Sequence, residues 1–188
     1  IAGRLGAWLI GGGLRLYFAS HRRIRRALAV WVIACHVLSC APMAWAAPLG
    51  GSVAAGSANI DASTPGLTTV TQSTDRAIVN WQGFSTAAGE TVRFAQPGAT
   101  SVTLNRVTGA GHSQLDGALQ ANGRVFLLNP NGIVFGRTSQ VNVGGLVAST
   151  LSMTDSDFMA GRHRLEQDPS RPMGAVINRG RITTAEGG

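Results

Sequence analysis

The sequence has 188 residues and a formal net charge of +7, from 16 basic and nine acidic side chains. Such a length suits one modest domain, and such a charge would suit nucleic acid or an anionic membrane as a partner. However, residues 1–46 contain six of the Arg residues and no acid, so residues 47–188 have a formal charge of only +1. Because the ten remaining Arg residues are mostly scattered singly, the composition argues against a nucleic-acid-binding surface.

The first 46 residues have the order of features found in a secretory signal. A basic segment, Arg22–Arg26, precedes twelve residues without a formal charge (27–38), which are followed by the small-residue site Ala44-Trp45-Ala46. This order predicts an extended signal peptide over 1–46 that engages the Sec translocon, with cleavage between Ala46 and Ala47. The apolar run would span only about 18 Å, short of a bilayer core of about 30 Å. A lipid anchor on Cys40 stays open as an alternative.

Short strand-like runs separated by Gly, Pro and Asn turns fill most of the chain after Ala47. The runs are 77–79, 91–94, 101–104, 125–128 and 140–143. Three of them alternate polar and apolar residues, which predicts one buried face, whereas 77–79 and 125–128 are continuously apolar, which predicts burial on both faces. The pattern favours stacked coils of a parallel β-helix. An antiparallel sandwich with hairpins at Asn122-Gly123 and Asn131-Gly132 is the competing architecture.

A polar segment, 154–172, interrupts the strand pattern. Thr154 is predicted to cap a short helix with Asp155 and Asp157 in its first turn, followed by a loop over 161–172. Strand character then resumes at Ala175 and continues toward Gly188.

The sequence predicts no enzyme, metal site or cofactor in the part that follows Ala47. His112 and His163 have no Cys or carboxylate neighbour at metal-ligand spacing. Asp155 and Asp157 lack the following Gly and distal Glu of an EF-hand loop, and a capped helix start explains them better. A β-helical carbohydrate-active enzyme is kept as an alternative, although no pair of acids other than these two is clustered.

The segment Asn129-Pro130-Asn131-Gly132-Ile133 carries the most information in the chain. Pro130 has a φ suited to the second position of a turn, and Asn129 can bond the backbone beyond it. Asn131 and Gly132 tolerate left-handed conformations. The motif is therefore predicted to reverse the chain between the runs 125–128 and 133–135.

This motif resembles the Asn-Pro-Asn-Gly-Ile motif of the two-partner secretion domain, the N-terminal domain of filamentous haemagglutinin-like exoproteins, also called the haemagglutination activity domain. The resemblance covers roughly residues 53–188. The Asn-Pro-Asn-Leu motif of some members is absent, which suggests the subgroup of high-molecular-weight adhesins. Flanking segments that agree with the family are Ser101–Val107, with the supporting motif Leu104, Asn105, Arg106 and Val107, then Ser113–Gly117 and Val143–Thr150.

The resemblance implies an all-β fold: a right-handed, single-stranded parallel β-helix with short capping and extra-helical antiparallel strands. It also implies a secreted or cell-surface protein of a Gram-negative bacterium, exported through the periplasm and the outer membrane. The implied partner is an outer-membrane β-barrel transporter, whose periplasmic domains recognise the secretion domain. The full-length protein would then act on a host-cell or bacterial surface as an adhesin or a growth-inhibition toxin.

The motif Asn129–Ile133 has two interpretations within this family. It either presents a surface that the transporter contacts, or it shapes the domain and affects recognition indirectly. Residues 47–188 are expected to form one β-helix domain whose C-terminal end is cut in mid-coil.

Overall fold

The computed structural model describes residues 46–170 and 174–185, and the predicted signal peptide over 1–46 lies almost entirely outside them. Nearly all of the regular structure is β-strand, arranged as a parallel β-solenoid of about three turns. No helix in the described part is long and apolar enough to cross a membrane. The elements are β1 (Ser52–Ala55), β2 (Ala58–Thr64), β3 (Leu67–Gln72), β4 (Arg76–Trp81), β5 (Thr91–Ala95), β6 (Val102–Val107), β7 (Ser113–Leu115), β8 (Ala118–Ala121), β9 (Arg124–Leu128), β10 (Ile133–Phe135), β11 (Gln140–Val143), β12 (Gly145–Ser149), α1 (Asp155–Met159), β13 (Val176–Asn178) and β14 (Arg181–Thr184).

Three sheets form the walls of the solenoid. The front sheet has the order β1-β4-β6-β9-β12, the side sheet β13-β10-β7, and the back sheet β14-β11-β8-β5-β3-β2. Three coils contribute one strand to each sheet, in the order front, side, back: β6-β7-β8, β9-β10-β11 and β12-β13-β14. The coil of β4 and β5 has only an isolated bridge, from Thr86 to Leu115, at the side wall. Strands of successive coils pair in parallel, whereas β1 pairs with β4 and β2 with β3 antiparallel. The predicted parallel β-helix with antiparallel capping strands is confirmed.

The sandwich alternative is wrong, because the predicted hairpins do not exist. Strands β8 and β9, on either side of Asn122-Gly123, belong to the back and front sheets and do not pair. Strand β9 instead pairs in parallel with β6 and β12, which belong to the neighbouring coils.

The central strands of the front sheet, β4, β6 and β9, are buried on both faces, which explains the continuous apolar runs. Its inner face packs in the bore of the solenoid, where Val79, Trp81, Val107 and Leu127 are almost fully buried. Its outer face is covered by the segment that contains α1. This outer cluster consists of Ile78, Val102, Leu104, Phe126, Leu128, Met153 and Phe158.

The prediction that residues 101–104 bury only one face is wrong. Thr103 is fully buried in the bore although it is polar. Its hydroxyl donates to Gln72 Oε1 (2.5 Å) and accepts from Gln96 Nε2 (3.0 Å). Gln96 Oε1 also accepts from the backbone N–H of Gly123 at 2.9 Å. The buried polar side chains are thus satisfied by one another and by the backbone at this corner of the coil.

Helix α1 is the predicted short helix, and its cap is confirmed. The Thr154 hydroxyl accepts a hydrogen bond from the backbone N–H of Asp157 at 3.1 Å. Phe158 is fully buried against Phe126, with ring centroids 5.9 Å apart in an edge-on arrangement. Arg76 donates to the backbone carbonyl of Phe158 at 3.3 Å, which fastens the C-terminal end of the helix to the front sheet.

Candidate functional site

The motif Asn129–Ile133 forms the corner between the front and side sheets. The backbone N–H of Gly132 donates to the carbonyl of Asn129 at 3.0 Å, which closes a four-residue turn. Gly132 has a φ of +110°, a conformation that favours glycine, whereas Asn131 does not adopt positive φ. The predicted chain reversal is wrong: β9 and β10 lie in different sheets and do not pair. Successive coils supply the pairing partners, so the motif only has to turn the chain from one wall to the next.

Asn129 connects this corner to the preceding coil. Its side chain is fully buried. The Nδ2 atom donates to the Gly111 carbonyl and to Ser113 Oγ, both at 3.0 Å, while Oδ1 accepts from the backbone N–H of Asn131 at 3.0 Å. The side chain of Asn129 is therefore not part of the exposed surface of the domain.

Asn131 holds the same loop from a more exposed position. Its Nδ2 atom donates to the Gly109 carbonyl at 2.9 Å, and its side chain is half-buried. The two asparagines therefore bond the loop Gly109–Gly111 from two sides. In the sequence, Ser113 belongs to a segment that resembles the family, whereas Gly109 and Gly111 indicate only a turn.

The other face of the motif meets the following coil. The backbone N–H of Gly174 donates to the Pro130 carbonyl at 2.8 Å, and the N–H of Ile133 donates to the carbonyl of Ala175 at 2.9 Å. Ile133 is fully buried in the bore, and Pro130 is buried as well. The motif thus lies between two coils and fixes their stacking at this corner.

The supporting motif on β6 is structural in each of its four positions. Leu104 belongs to the outer cluster and Val107 to the bore. Asn105, fully buried, accepts from Trp81 Nε1 at 3.0 Å and donates to the Phe126 carbonyl at 3.3 Å.

Arg106 fastens the N-terminal end of α1 to the front sheet. Its Nη2 atom forms an ion pair with Asp155 at 2.6 Å and donates to the Met153 carbonyl at 2.8 Å. Its Nη1 atom donates to Asn80 Oδ1 at 3.3 Å. Arg106 therefore attaches the start of α1 to the front sheet, as Arg76 attaches its end.

The two sequence motifs meet around one small crevice. It has a volume of about 150 Å³ and lies where the end of β6, the Pro130 turn and the chain after β12 come together. Its lining comprises Arg106, Val107, Thr108, Leu128, Pro130, Leu151, Ser152 and Asp168. The motif asparagines lie outside this lining.

The predicted cleavage site lies at the first described residues. Ala46 and Ala47 have no regular secondary structure, and Ala47 is exposed. Leu49, two residues later, forms an antiparallel bridge to Gly83. An exposed, extended segment is compatible with a peptidase site, and cleavage itself stays a prediction.

Asp155 and Asp157, the acids kept for an enzymatic alternative, both have basic partners. Asp155 pairs with Arg106, and Asp157 pairs with Arg162 at 2.8 Å. The hydrogen bonds from Arg162 and Thr154 lower the pKa of Asp157, so it stays a charged helix-start residue. Within residues 46–170 and 174–185, no three His, Cys, Asp or Glu side chains are grouped as metal ligands would be.

The segment over the front sheet also contains a titratable imidazole, that of His163. The His163 and Phe126 ring centroids are 4.8 Å apart. Burial and then the charges of Arg76 and Arg124 lower the pKa of His163 below its ordinary 6.5. The unfolded chain therefore takes up this proton at a higher pH than the folded one. The stability due to neutral His163 is present above about pH 6.5 and is lost as the pH falls through the folded pKa.

We therefore expect the wild-type Tm to decrease between about pH 7.5 and about pH 5 by more than that of His163→Phe, because the phenyl ring cannot be protonated. Thermal unfolding followed by circular dichroism at both pH values measures this. An equal decrease in the two proteins would contradict the assignment.

Comparison with known proteins agrees with this geometry. A family model described as the TPS (two-partner secretion) secretion domain matches residues 46–188. The crystal structure of the HMW1 secretion domain from Haemophilus influenzae matches with a TM-score of 0.70 and 36% identity, covering 73% of this chain and 36% of that one.

Two sequences from Haemophilus influenzae, both named heme/hemopexin-binding protein, are also similar. One is 44% identical over 104 residues, 55% of this chain, and the other is 39% identical over 95 residues, 50% of this chain. The matched regions are only 11% and 10% of the length of those relatives. Since the family model covers the whole solenoid and the fold agrees with a solved member, the chain belongs to the family of TPS secretion domains.

Proposed function

We propose that residues 47–188 are the secretion domain by which a much longer exported protein is recognised for transport. The partner in this proposal is an outer-membrane β-barrel transporter of a Gram-negative bacterium, which binds the folded solenoid through its periplasmic domains. The family match over 46–188 is the observation that carries the proposal. The domain has no catalytic role in it, and the two acids of the enzymatic alternative are used in ion pairs.

The leader completes this route. Residues 1–46 direct the chain to the Sec translocon and are removed after Ala46, and the exported protein then reaches the cell surface or the medium. N-terminal sequencing of exported protein should begin at Ala47. If the sequence instead began at Cys40 with an attached lipid, the protein would be lipid-anchored and the proposal of a secreted protein would be wrong.

The full-length protein is proposed to act at a host-cell or bacterial surface, as an adhesin or a toxin. The two relatives named for binding heme and hemopexin add that binding activity as a further possibility for the exported protein.

Within this domain, we propose that Asn129–Ile133 shapes the recognised surface and does not supply its contacts through Asn129. The supporting observation is the burial of Asn129 together with its bonds to the loop Gly109–Gly111. The surface that depends on this corner comprises that loop, the half-buried Asn131 and the crevice beside Pro130.

Replacing Asn129 with alanine should reduce secretion and lower the free energy of unfolding by about 1–3 kcal/mol, because buried partners lose their hydrogen bonds. Asn131→Ala should have a smaller effect on stability, since its side chain is half-exposed. Quantitative immunoblotting of medium and cells measures secretion, and urea unfolding of the purified variants measures stability.

A control must separate recognition from stability. Val92→Ala removes apolar contacts in the bore on the back sheet, away from the motif, and should destabilise the domain by a comparable amount. We expect Asn129→Ala to be secreted less than Val92→Ala at equal stability. Equal secretion of the two variants would overturn the shaping proposal.

A further inference from the structure

Two corners of the solenoid contain the dipeptide Asn-Gly, which is chemically reactive in a flexible chain. They are Asn122-Gly123, between β8 and β9, and Asn131-Gly132, between β9 and β10. No other Asn in the sequence precedes a Gly. The backbone nitrogen of the residue after Asn can attack the side-chain amide. Glycine hinders this attack least, because it has no Cβ and its backbone is the most flexible.

The reaction is deamidation, and water is the only reagent that it needs. The backbone nitrogen of Gly loses its proton and forms a bond to the Asn side-chain carbon Cγ. The bond from Cγ to the amide nitrogen breaks, and that nitrogen leaves with the proton as ammonia. Water then opens the resulting succinimide ring at either carbonyl, which gives aspartate or isoaspartate. The attack therefore requires a free N–H on Gly and an amide that can rotate toward it.

At Asn122-Gly123, one residue of the preceding coil bonds all the reacting groups. The Gly123 N–H donates to Gln96 Oε1 at 2.9 Å, so the attacking nitrogen is held. The Asn122 amide is held as well, because Nδ2 donates to the Gln96 carbonyl at 2.7 Å and Oδ1 accepts from the Gln96 N–H at 2.8 Å. Asn122 is exposed, so these bonds, and not burial, restrain its side chain.

At Asn131-Gly132, different residues hold the same two groups. The Gly132 N–H donates to the Asn129 carbonyl at 3.0 Å. The Asn131 amide nitrogen donates to the Gly109 carbonyl at 2.9 Å and to Asn129 Oδ1 at 3.2 Å. In the folded solenoid, neither the attacking nitrogen nor the leaving amide is free at this corner.

Deamidation before folding would weaken both corners. Each of the two amides donates to a backbone carbonyl, that of Gln96 or that of Gly109. An ionised carboxylate has no hydrogen to donate, so it would place an oxygen against that carbonyl oxygen and lose the bond. Isoaspartate would in addition lengthen the backbone of the turn by one carbon.

We propose that Asn122 and Asn131 are deamidation sites of the unfolded chain, and that folding suppresses the reaction by bonding the Gly N–H and the Asn amide at each corner. The extent of modification then records how long a chain has stayed unfolded. The inference does not depend on the transporter, because it concerns only bonds within the chain.

Incubation of the purified protein in mildly alkaline buffer, folded or unfolded in guanidinium chloride, tests the proposal. Peptide mass spectrometry measures conversion at each position, and protein isoaspartyl methyltransferase detects the isoaspartate. Both sites should react in the unfolded chain and should react about tenfold or more slowly in the folded protein, because only locally opened molecules can react. Equal rates in the two states, or no conversion in the unfolded chain, would overturn the proposal.

Two variants of the folded protein test whether the bonds at each corner give the protection. Gln96→Ala removes the acceptor of the N–H that follows Asn122 and should speed conversion there about fivefold more than at Asn131, the factor for one hydrogen bond. Asn129→Ala removes a partner of the Asn131 amide and should favour conversion at that site instead.

Val92→Ala is the matched control for lost stability. Val92 is buried in the bore and its apolar side chain bonds neither corner, so the variant should raise both rates by the same factor. If Gln96→Ala and Asn129→Ala also raised both rates equally, protection would come from the fold as a whole, and the proposed role of the corner bonds would be wrong.

Discussion

Replacing Phe158 with alanine is expected to lower the free energy of unfolding by about 3–5 kcal/mol, the range for truncating a fully buried Phe. Phe158 is the helix residue that covers Phe126 and the outer face of the front sheet. Its loss leaves a cavity beneath α1 and uncovers apolar residues such as Leu104. Urea unfolding monitored by circular dichroism measures the change.

Met159→Ala is the matched control, because Met159 is the neighbouring residue and is 39% exposed. It should change the free energy of unfolding by less than about 0.5 kcal/mol, as for most exposed sites. If the two variants were equally stable, α1 would not be a part of the core, and the explanation for the continuous apolar runs of the front sheet would fail.

Replacing Gly117 with alanine is expected to lower the free energy of unfolding by about 3 kcal/mol, the upper part of the usual range for overpacking. A Cβ at Gly117 would lie 2.3 Å from the carbonyl oxygen of Glu90 and 2.5 Å from that of Ala87. Both atoms belong to the backbone of the preceding coil, so the two coils would have to separate. That movement would strain the hydrogen bond from Ala118 N–H to the Glu90 carbonyl.

Gly111→Ala provides the comparison at a glycine where nothing lies within 4 Å of the added Cβ. Its effect should be small, and the difference between the two variants isolates the contact between coils from the general effect of losing a glycine. Similar unfolding midpoints for Gly117→Ala and Gly111→Ala would show that the stacking is looser than the structure describes.

Local chemistry predicts several of the strands and the short helix, but not β2, β3 or β8, and not which strands pair. The run 125–128 is buried on both faces as its apolar residues predict, and Thr154 caps α1 as its position before two acids predicts. Asn129 was correctly placed in a turn. The prediction that the chain reverses after this turn is wrong, because β9 pairs with strands of neighbouring coils and not with β10.

The candidate sites depend on contacts that no short sequence pattern contains. Thr103 alternates with apolar neighbours as a surface residue would, yet its hydroxyl bonds Gln72, which belongs to an earlier turn of the chain, as well as the nearby Gln96. The side chain of Asn122 bonds the backbone of Gln96 although the two residues are far apart in sequence. Only the stacking of coils brings such residues together, and the register of that stacking is a property of the whole fold.

Secretion with and without the partner transporter tests the central claim most directly. The protein, expressed with its leader in a Gram-negative host, should appear in the medium when the cognate outer-membrane transporter is co-expressed and should stay in the periplasm without it. Asn129→Ala should reduce the exported fraction in the presence of the transporter. Equal amounts of protein in the medium with and without the transporter would contradict the assignment of this chain as a recognised secretion domain.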